Sequence, residues 1–397
     1  MPAVLTYGFR IFFLAAAAWG ITAMALWLVW LAVHLNGADF AVLSIALPPF
    51  QWHAHEMVFG FGLAAVAGFL LTAVPNWVGC APVRGLPLAG LAAVWLAGRL
   101  AVGFSAWLPA PLVLAVDALF PLALAVTLAR QIVPARQPRN LGVVAVVTLL
   151  GLLQVLSLGD ALALFDNPLA QTPARLGVEL LVLLIAIIGG RITPAFTRNW
   201  LVRQGQEVTV AMGTWLDRGA VAVTAAAVLA DAAGAPDGLR AVLFAAAGLA
   251  LLVRLSRWHG RRTGAEPLLW VLHAGYALVA AGFLLMAAAV VGLLVESTAL
   301  HLWTIGAVGV MVVGVMSRVA LGHTGRALTA PRLTTVAYGL LALAAVVRVA
   351  GPALSPAFYS PALLTAAGLW VVALLLFLAD YAVMLATDRP AAGSGGA

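Results

Sequence analysis

The chain has no lysine, a single cysteine and very little charge, and each shortage removes a class of protein. Asp, Glu, Lys and Arg together make up 9% of the 397 residues, where a soluble domain carries about 25%. Water is therefore not the main solvent of this chain. With only Cys80 present, a disulfide framework, a cysteine-ligated iron–sulfur cluster and a C-x-x-C-H attachment for covalent haem are all excluded. Any haem must be held noncovalently, as haem b. The lack of lysine leaves all basic character to 21 arginines, which together with the wealth of Ala and Gly points to a GC-rich bacterial genome. No Gly-rich phosphate loop, nucleophile elbow or soluble catalytic domain is visible, so hydrolysis and nucleotide chemistry are not expected.

What the chain does have is apolar surface: 64% of its residues are hydrophobic, gathered in long uninterrupted runs. A bilayer offers no water to exposed backbone groups, so spans must be helices or closed barrels, and unbroken apolar runs select helices. The fold class is all-α: a polytopic integral membrane protein of about twelve transmembrane helices. The run 11–33 is too long for a signal-peptide core and has no convincing cleavage site after it, so it reads as a retained first helix. Further spans are expected at 52–74, 88–106, 111–133, 141–158, 174–192, 209–230, 239–255, 267–293, 299–320, 333–350 and 361–385. The loops leave no room for a second soluble domain. Residues 1–390 therefore form one twelve-helix membrane domain, and 391–397 a flexible C-terminal tail.

The arginines test that count, because the cytoplasmic loops of membrane proteins are enriched in them. Twelve spans with both termini in the cytoplasm put sixteen arginines on the inner side: Arg10, Arg84, Arg130, Arg136, Arg139, Arg191, Arg198, Arg203, Arg254, Arg257, Arg261, Arg262, Arg318, Arg326, Arg332 and Arg389. Only Arg175, Arg240 and Arg348 fall outside, while Arg99 and Arg218 lie within spans. A miscounted span would invert everything after it. The net charge of +7 thus reports orientation in a bacterial inner membrane, with no nucleic acid among the expected partners.

Orientation gives every ionisable residue a depth. His34, His53, His55 and His301 fall at periplasmic helix ends, His259 and His323 at the cytoplasmic face, and His273 about 9 Å inside helix 9 from that face. Glu56, Arg99, Asp117 and Glu179 share the outer layer. Each costs at least ~2.5–3.5 kcal/mol in hydrocarbon, so they are expected to pair or to line a wet cavity. Arg99 and Asp117 suit a structural ion pair between adjacent helices equally well. Asp217, Arg218, His273 and Asp380 form a weaker inner group, and His34 and His259 read as solvated.

The densest chemistry runs from Pro49 to Gly62, through His53, His55, Glu56 and Met57. Residues two apart on a helix point about 200° away from each other, so His53 and His55 could share a metal only in an extended segment, which Pro48 and Pro49 would permit. His53 and Met57 share one helical face, offering nitrogen and thioether ligands suited to haem iron or copper, and His55 shares the opposite face with Phe59 and Gly62. Helix 10 carries His301 and His323, about 33 Å apart if helical and so in different layers. Arg318 and Arg326 flank His323 and could meet haem propionates or anchor the cytoplasmic face. For His53, His55, His273, His301 and His323, hydrogen bonding to a neighbouring helix competes with ligation. No clear repeat relates the two halves; the nearest is a His followed five residues later by Gly, at His55 and Gly60 and at His301 and Gly306.

At these segments the chain resembles the NnrS family of bacterial membrane proteins. The resemblance rests on residues 9–13, Trp52-His53-Ala54-His55-Glu56-Met57-Val58-Phe59-Gly60, residues 68–77, Gly189-Gly190-Arg191-Ile192-Thr193-Pro194, Leu272-His273-Ala274-Gly275-Tyr276 and Gly322-His323-Thr324-Gly325-Arg326. Phe9-Arg10-Ile11 stands where Phe-Arg-Pro is expected. The resemblance implies twelve helices, haem and copper, and a role in denitrification and protection against nitric oxide. The expected site is an outer layer with His53, His55 and His301 on metal, Glu56, Asp117 and Glu179 bringing protons, and Arg99 balancing charge. Reduction of nitric oxide would also need a quinol or a soluble redox donor. A transporter of metal, haem or a small polar solute is the rival, since twelve helices with buried charges suit that class too. A membrane-bound sensor is a third reading, weakened because no signalling domain is visible.

Overall fold

A computed structural model describes residues 1–38, 44–137, 140–169 and 171–388; Arg139, Arg389 and the expected tail lie outside them. The described residues contain no strand, and twelve helices of eighteen residues or more follow one another along the chain. They are α1 Gly8–Leu35, α2 Pro49–Val78, α3 Leu86–Gly103, α4 Ala110–Ile132, α5 Leu141–Ala161 and α6 Pro173–Arg203. The series continues with α7 Trp215–Ala232, α8 Asp237–Ser256, α9 Pro267–Val290, α10 Glu296–His323, α11 Arg332–Leu354 and α12 Tyr359–Ala386. Eleven are long and apolar enough to cross a membrane. The exception is α7, which has the length but carries Asp217, Arg218 and Asp231.

Three helices spaced four apart in the chain, α2, α6 and α10, are buried over 83%, 78% and 72% of their most apolar stretch, against 61% for α9 and 44% or less elsewhere. They touch one another at the centre, the other nine pack around them in sequence order, and α12 closes back on α1. Arg10 clamps that closure by donating to the carbonyls of Met384, Leu385 and Thr387 at 3.2, 3.1 and 2.8 Å, oxygens that the end of α12 leaves unpaired.

Close packing between α1 and α2 depends on small residues. A Cβ on Gly68 would come within 2.6 Å of the Phe13 ring, and one on Gly60 within 2.6 Å of Trp19 Nε1. Within α2 and α10 the winding loosens to π-helix, over Glu56–Gly62 and Leu302–Gly309. Each π segment begins directly after a histidine, His55 or His301, that ends a short α-helical turn. The faint His-to-Gly match of the sequence is therefore a repeated local structure. Such loosened turns widen the ladder and frequently mark functional sites.

Candidate functional site

One end of the bundle brings together the C-termini of odd-numbered helices and the N-termini of even-numbered ones; His53 lies there and His323 at the opposite end. At the His53 end a cavity of about 320 Å³ opens between α1, α2, α6, α10, α11 and α12. Its walls are mostly apolar and aromatic, with His53, Met57, Arg175, Ser297, His301 and Arg348 among the groups able to bond a ligand. This volume lies within the range of small-molecule and cofactor sites.

The two histidines of the cavity are prepared differently. His301 Nδ1 lies 2.7 Å from the Ser297 carbonyl, which can only accept, so this nitrogen carries the proton. That leaves the Nε2 lone pair for a metal, the arrangement by which histidine ligands are usually oriented. Arg348 Nη2 reinforces the turn by donating to Ser297 Oγ at 3.1 Å. His53 stacks on Trp27 with ring centroids 4.5 Å apart, and its buried Nδ1 has no hydrogen-bond partner among the described residues. A buried ring nitrogen without a partner is uncommon in folded proteins and sets His53 apart from His301.

His55 does not join them. The segment after Pro48 and Pro49 is helical, not extended, so the two rings diverge. His55 Nε2 points to Asp117 Oδ2 at 3.3 Å, and its ring packs on Phe59, a neighbour the helical spacing predicts. Around it lies the first of two buried ionic clusters. Arg99 on α3 donates from Nη1 to Glu56 Oε2 at 2.7 Å and from Nη2 to Asp117 Oδ1. Trp19 Nε1 donates to the same Glu56 oxygen at 2.6 Å, and Gln154 Nε2 to Asp117 Oδ2 at 2.6 Å. The structural pair expected of Arg99 and Asp117 is thus present, enlarged to a network across α1 to α5.

Glu179 belongs to a second cluster. Arg175, on the cavity wall, donates to Glu179 at 3.3 Å, Asp231 at 2.9 Å, Glu296 at 2.5 Å and Gln171 at 2.8 Å. Arg240 backs it through Asp231 at 2.5 Å. Arg175, Arg240 and Arg348, the three arginines left on the outer side by the expected topology, therefore all serve this end of the bundle. Sequence reasoning gave Arg175, Arg348, Ser297 and Asp231 no place in the site. The one signal was that these arginines broke the cytoplasmic pattern.

The inner residues do not gather into a second centre. His273 Nε2 lies 2.9 Å from Thr197 Oγ1, which already donates to the Thr193 carbonyl, so His273 is the donor between them. Asp217 receives Arg254 at 2.8 Å, Asp380 caps α11 through Thr334, and Arg218 is exposed. His323 packs beside the rings of Tyr7 and Phe9. Arg318 stacks at 4.0 Å over Phe196, and neither it nor Arg326 lines the cavity.

The profile of one protein family, described as NnrS protein, matches residues 3–389, nearly the whole chain. The chain belongs to the NnrS family. No curated protein matches it. The resemblance implied haem and copper, and the cavity fits the first of these. A free Nε2 on His301, the His53 ring and the Arg348 guanidinium, able to meet a propionate carboxylate, line an apolar space, whereas Arg175 is already taken up by Glu179, Gln171, Glu296, Asp231 and Met286. The fit to copper is thinner. Among the described residues no three His, Cys, Asp or Glu side chains converge as a metal cluster, and the nitrogen and thioether donors lining the cavity are His53, His301, Met24 and Met57.

Proposed function

We propose that this NnrS-family protein is a haem- and copper-binding protein of the bacterial inner membrane that handles nitric oxide at the cavity between His53 and His301. In this reading α7 is a twelfth span, both termini are cytoplasmic, and the cavity lies in the periplasmic half. The arginine distribution supports that orientation. The observation that carries the reading is the His301 ring, fixed by the Ser297 carbonyl with its Nε2 free, on the wall of an apolar cavity that His53 also lines.

His301 would hold iron, and His53 would join it on the iron or, with Met57, hold copper. Arg348 would take a propionate. Haem held there would supply a ferrous iron with affinity for nitric oxide. Because the ligand is small, uncharged and soluble in lipid, it needs no polar channel. Protons do need carriers: Glu296, with 45% of its side chain exposed, and the buried Glu179 and Asp231 gather around Arg175 on the cavity wall, and these carboxylates would take and release them. Glu56 and Asp117, tied to Arg99, would hold α2 and His55 in register and carry charge on the other flank. Electrons for turnover come from a quinol or a soluble donor.

The test is optical and elemental analysis of the purified protein beside His53→Ala, His55→Ala, His301→Ala, His273→Ala and His323→Ala. Haem absorption is expected in the wild type and lost in His301→Ala, with His53→Ala losing haem or copper and His273→Ala and His323→Ala retaining both. A wild type with neither haem nor copper would overturn the reading in favour of transport. Nitrous oxide formed from nitric oxide and reductant, above a haem-only control, would separate reduction from protective binding.

A further inference from the structure

We propose that the stacked rings of His34, Trp30, Trp27 and His53 form an electron relay into the cavity, serving a soluble one-electron carrier that docks at His34. The four rings make a continuous column. Centroids are 4.7 Å apart from His34 to Trp30, 4.9 Å from Trp30 to Trp27 and 4.5 Å from Trp27 to His53, with planes 12°, 18° and 20° from parallel. Their burial is graded: His34 is exposed at the end of α1, Trp30 is half-buried, Trp27 is 8% exposed, and His53 opens onto the cavity. Phe50 holds the column edge-on, 5.2 Å from Trp27 and 5.6 Å from Trp30.

Trp27, Trp30 and His34 stand three and four residues apart on one face of α1, so helical spacing lines up two of the stacks, while the third crosses from α1 to His53 on α2 and carries the column to the cavity. Tryptophan at a membrane boundary commonly serves as an anchor, but an anchor does not require its ring to be in contact with a ligand-binding histidine. Phe104 and Trp107, stacked at the same end of the bundle, lead nowhere: Trp107 is 72% exposed and neither lines the cavity. The column rests on the reading of the cavity as a haem site, and it supplies the electron route that reading lacks. The carrier loses one electron and the haem gains it. No bond forms or breaks, and the rings act as overlapping π systems through which the electron tunnels.

A photoreductant placed beside His34 tests this directly. Cys80→Ala removes the one native thiol, and Leu35→Cys, at a position 38% exposed, accepts a thiol-reactive ruthenium tris-bipyridyl label. After a flash with a sacrificial donor present, haem reduction is followed optically, with haem content, absorption maximum and melting temperature measured first. Trp30→Leu is expected to slow reduction about tenfold with the spectrum unchanged, while Trp30→Phe recovers most of the rate and Trp107→Leu does not alter it. Equal rates in Trp30→Leu and the wild type would overturn the relay alone. A wild type without haem would overturn the cavity reading and the relay together.

Discussion

Arg99 shows most plainly how much one side chain can carry in this protein. Its guanidinium, 2% exposed, is shared between Glu56 and Asp117, both buried. Arg99→Ala strands two carboxylates without a cation, a loss of about 3–5 kcal/mol for a broken buried pair, and thermal unfolding in detergent should record it as a large fall in melting temperature. Arg348→Ala acts on the site instead. Removing one charge-assisted bond costs about 1.5–3 kcal/mol, so haem titration of the apoprotein should show affinity at least tenfold weaker, with folding intact. Both histidines of the cavity were legible in sequence from depth. Their arginines were not, because Arg175 and Arg348 stand in sequence only as misplaced members of a charge pattern. What gives them a purpose, the Ser297 turn and the acids from α7 and α10, comes from distant parts of the chain.

At the scale of elements, the divergence of His53 from His55 follows from helical geometry, but the sequence left open an extended entry after Pro48 and Pro49 that would have let both share a metal, and only the observed helix closes it. The two π segments were not legible. Their hydrogen-bond register depends on what α1, α6 and α10 press against α2, and a sequence window holds no record of that. The spacing of His55 to Gly60 and of His301 to Gly306 was visible as a coincidence without a cause. Close approach is the cause at Gly68, where Phe13 fills the space a side chain would need. Gly68→Val should overpack the contact of α1 with α2, costing about 1–3 kcal/mol, and Gly68→Ala less; melting temperatures and detergent-extracted yields in that order check it.

For the whole molecule, the number of long helices was legible because hydrophobic runs of spanning length have few alternatives, while two boundaries were displaced: α6 runs eleven residues past the expected end at 192 to Arg203, and α7 starts six residues beyond its expected boundary. Thr214 sets that start: its hydroxyl accepts from Asp217 N, and Asp217 Oδ2 accepts the Thr214 N–H at 2.8 Å, a capping box that ends the preceding loop. Orientation is tested by single cysteines in the Cys80→Ala background, labelled in intact cells with a membrane-impermeant thiol reagent. Gly37→Cys, Gly234→Cys and Leu293→Cys should label from outside, Gly205→Cys and Gly325→Cys only after permeabilisation. If α7 fails to span, Gly234→Cys stays protected and the sides of all later loops exchange.

The charges of α7 have a consequence for how the protein is made. Asp217 is held by Arg254 of α8, and Asp231 by Arg175 of α6 and Arg240 of α8. A helix carrying these groups alone meets the full cost of lipid exposure as it leaves the ribosome, and the partners that relieve it are translated on both sides. Insertion of α7 is therefore a cooperative event that waits for α8, with α6 retained nearby. A chain truncated after residue 236 should leave α7 outside the bilayer, while one ending after α8 should carry it across, so that the hairpin of α7 and α8 enters the membrane as one piece of cargo.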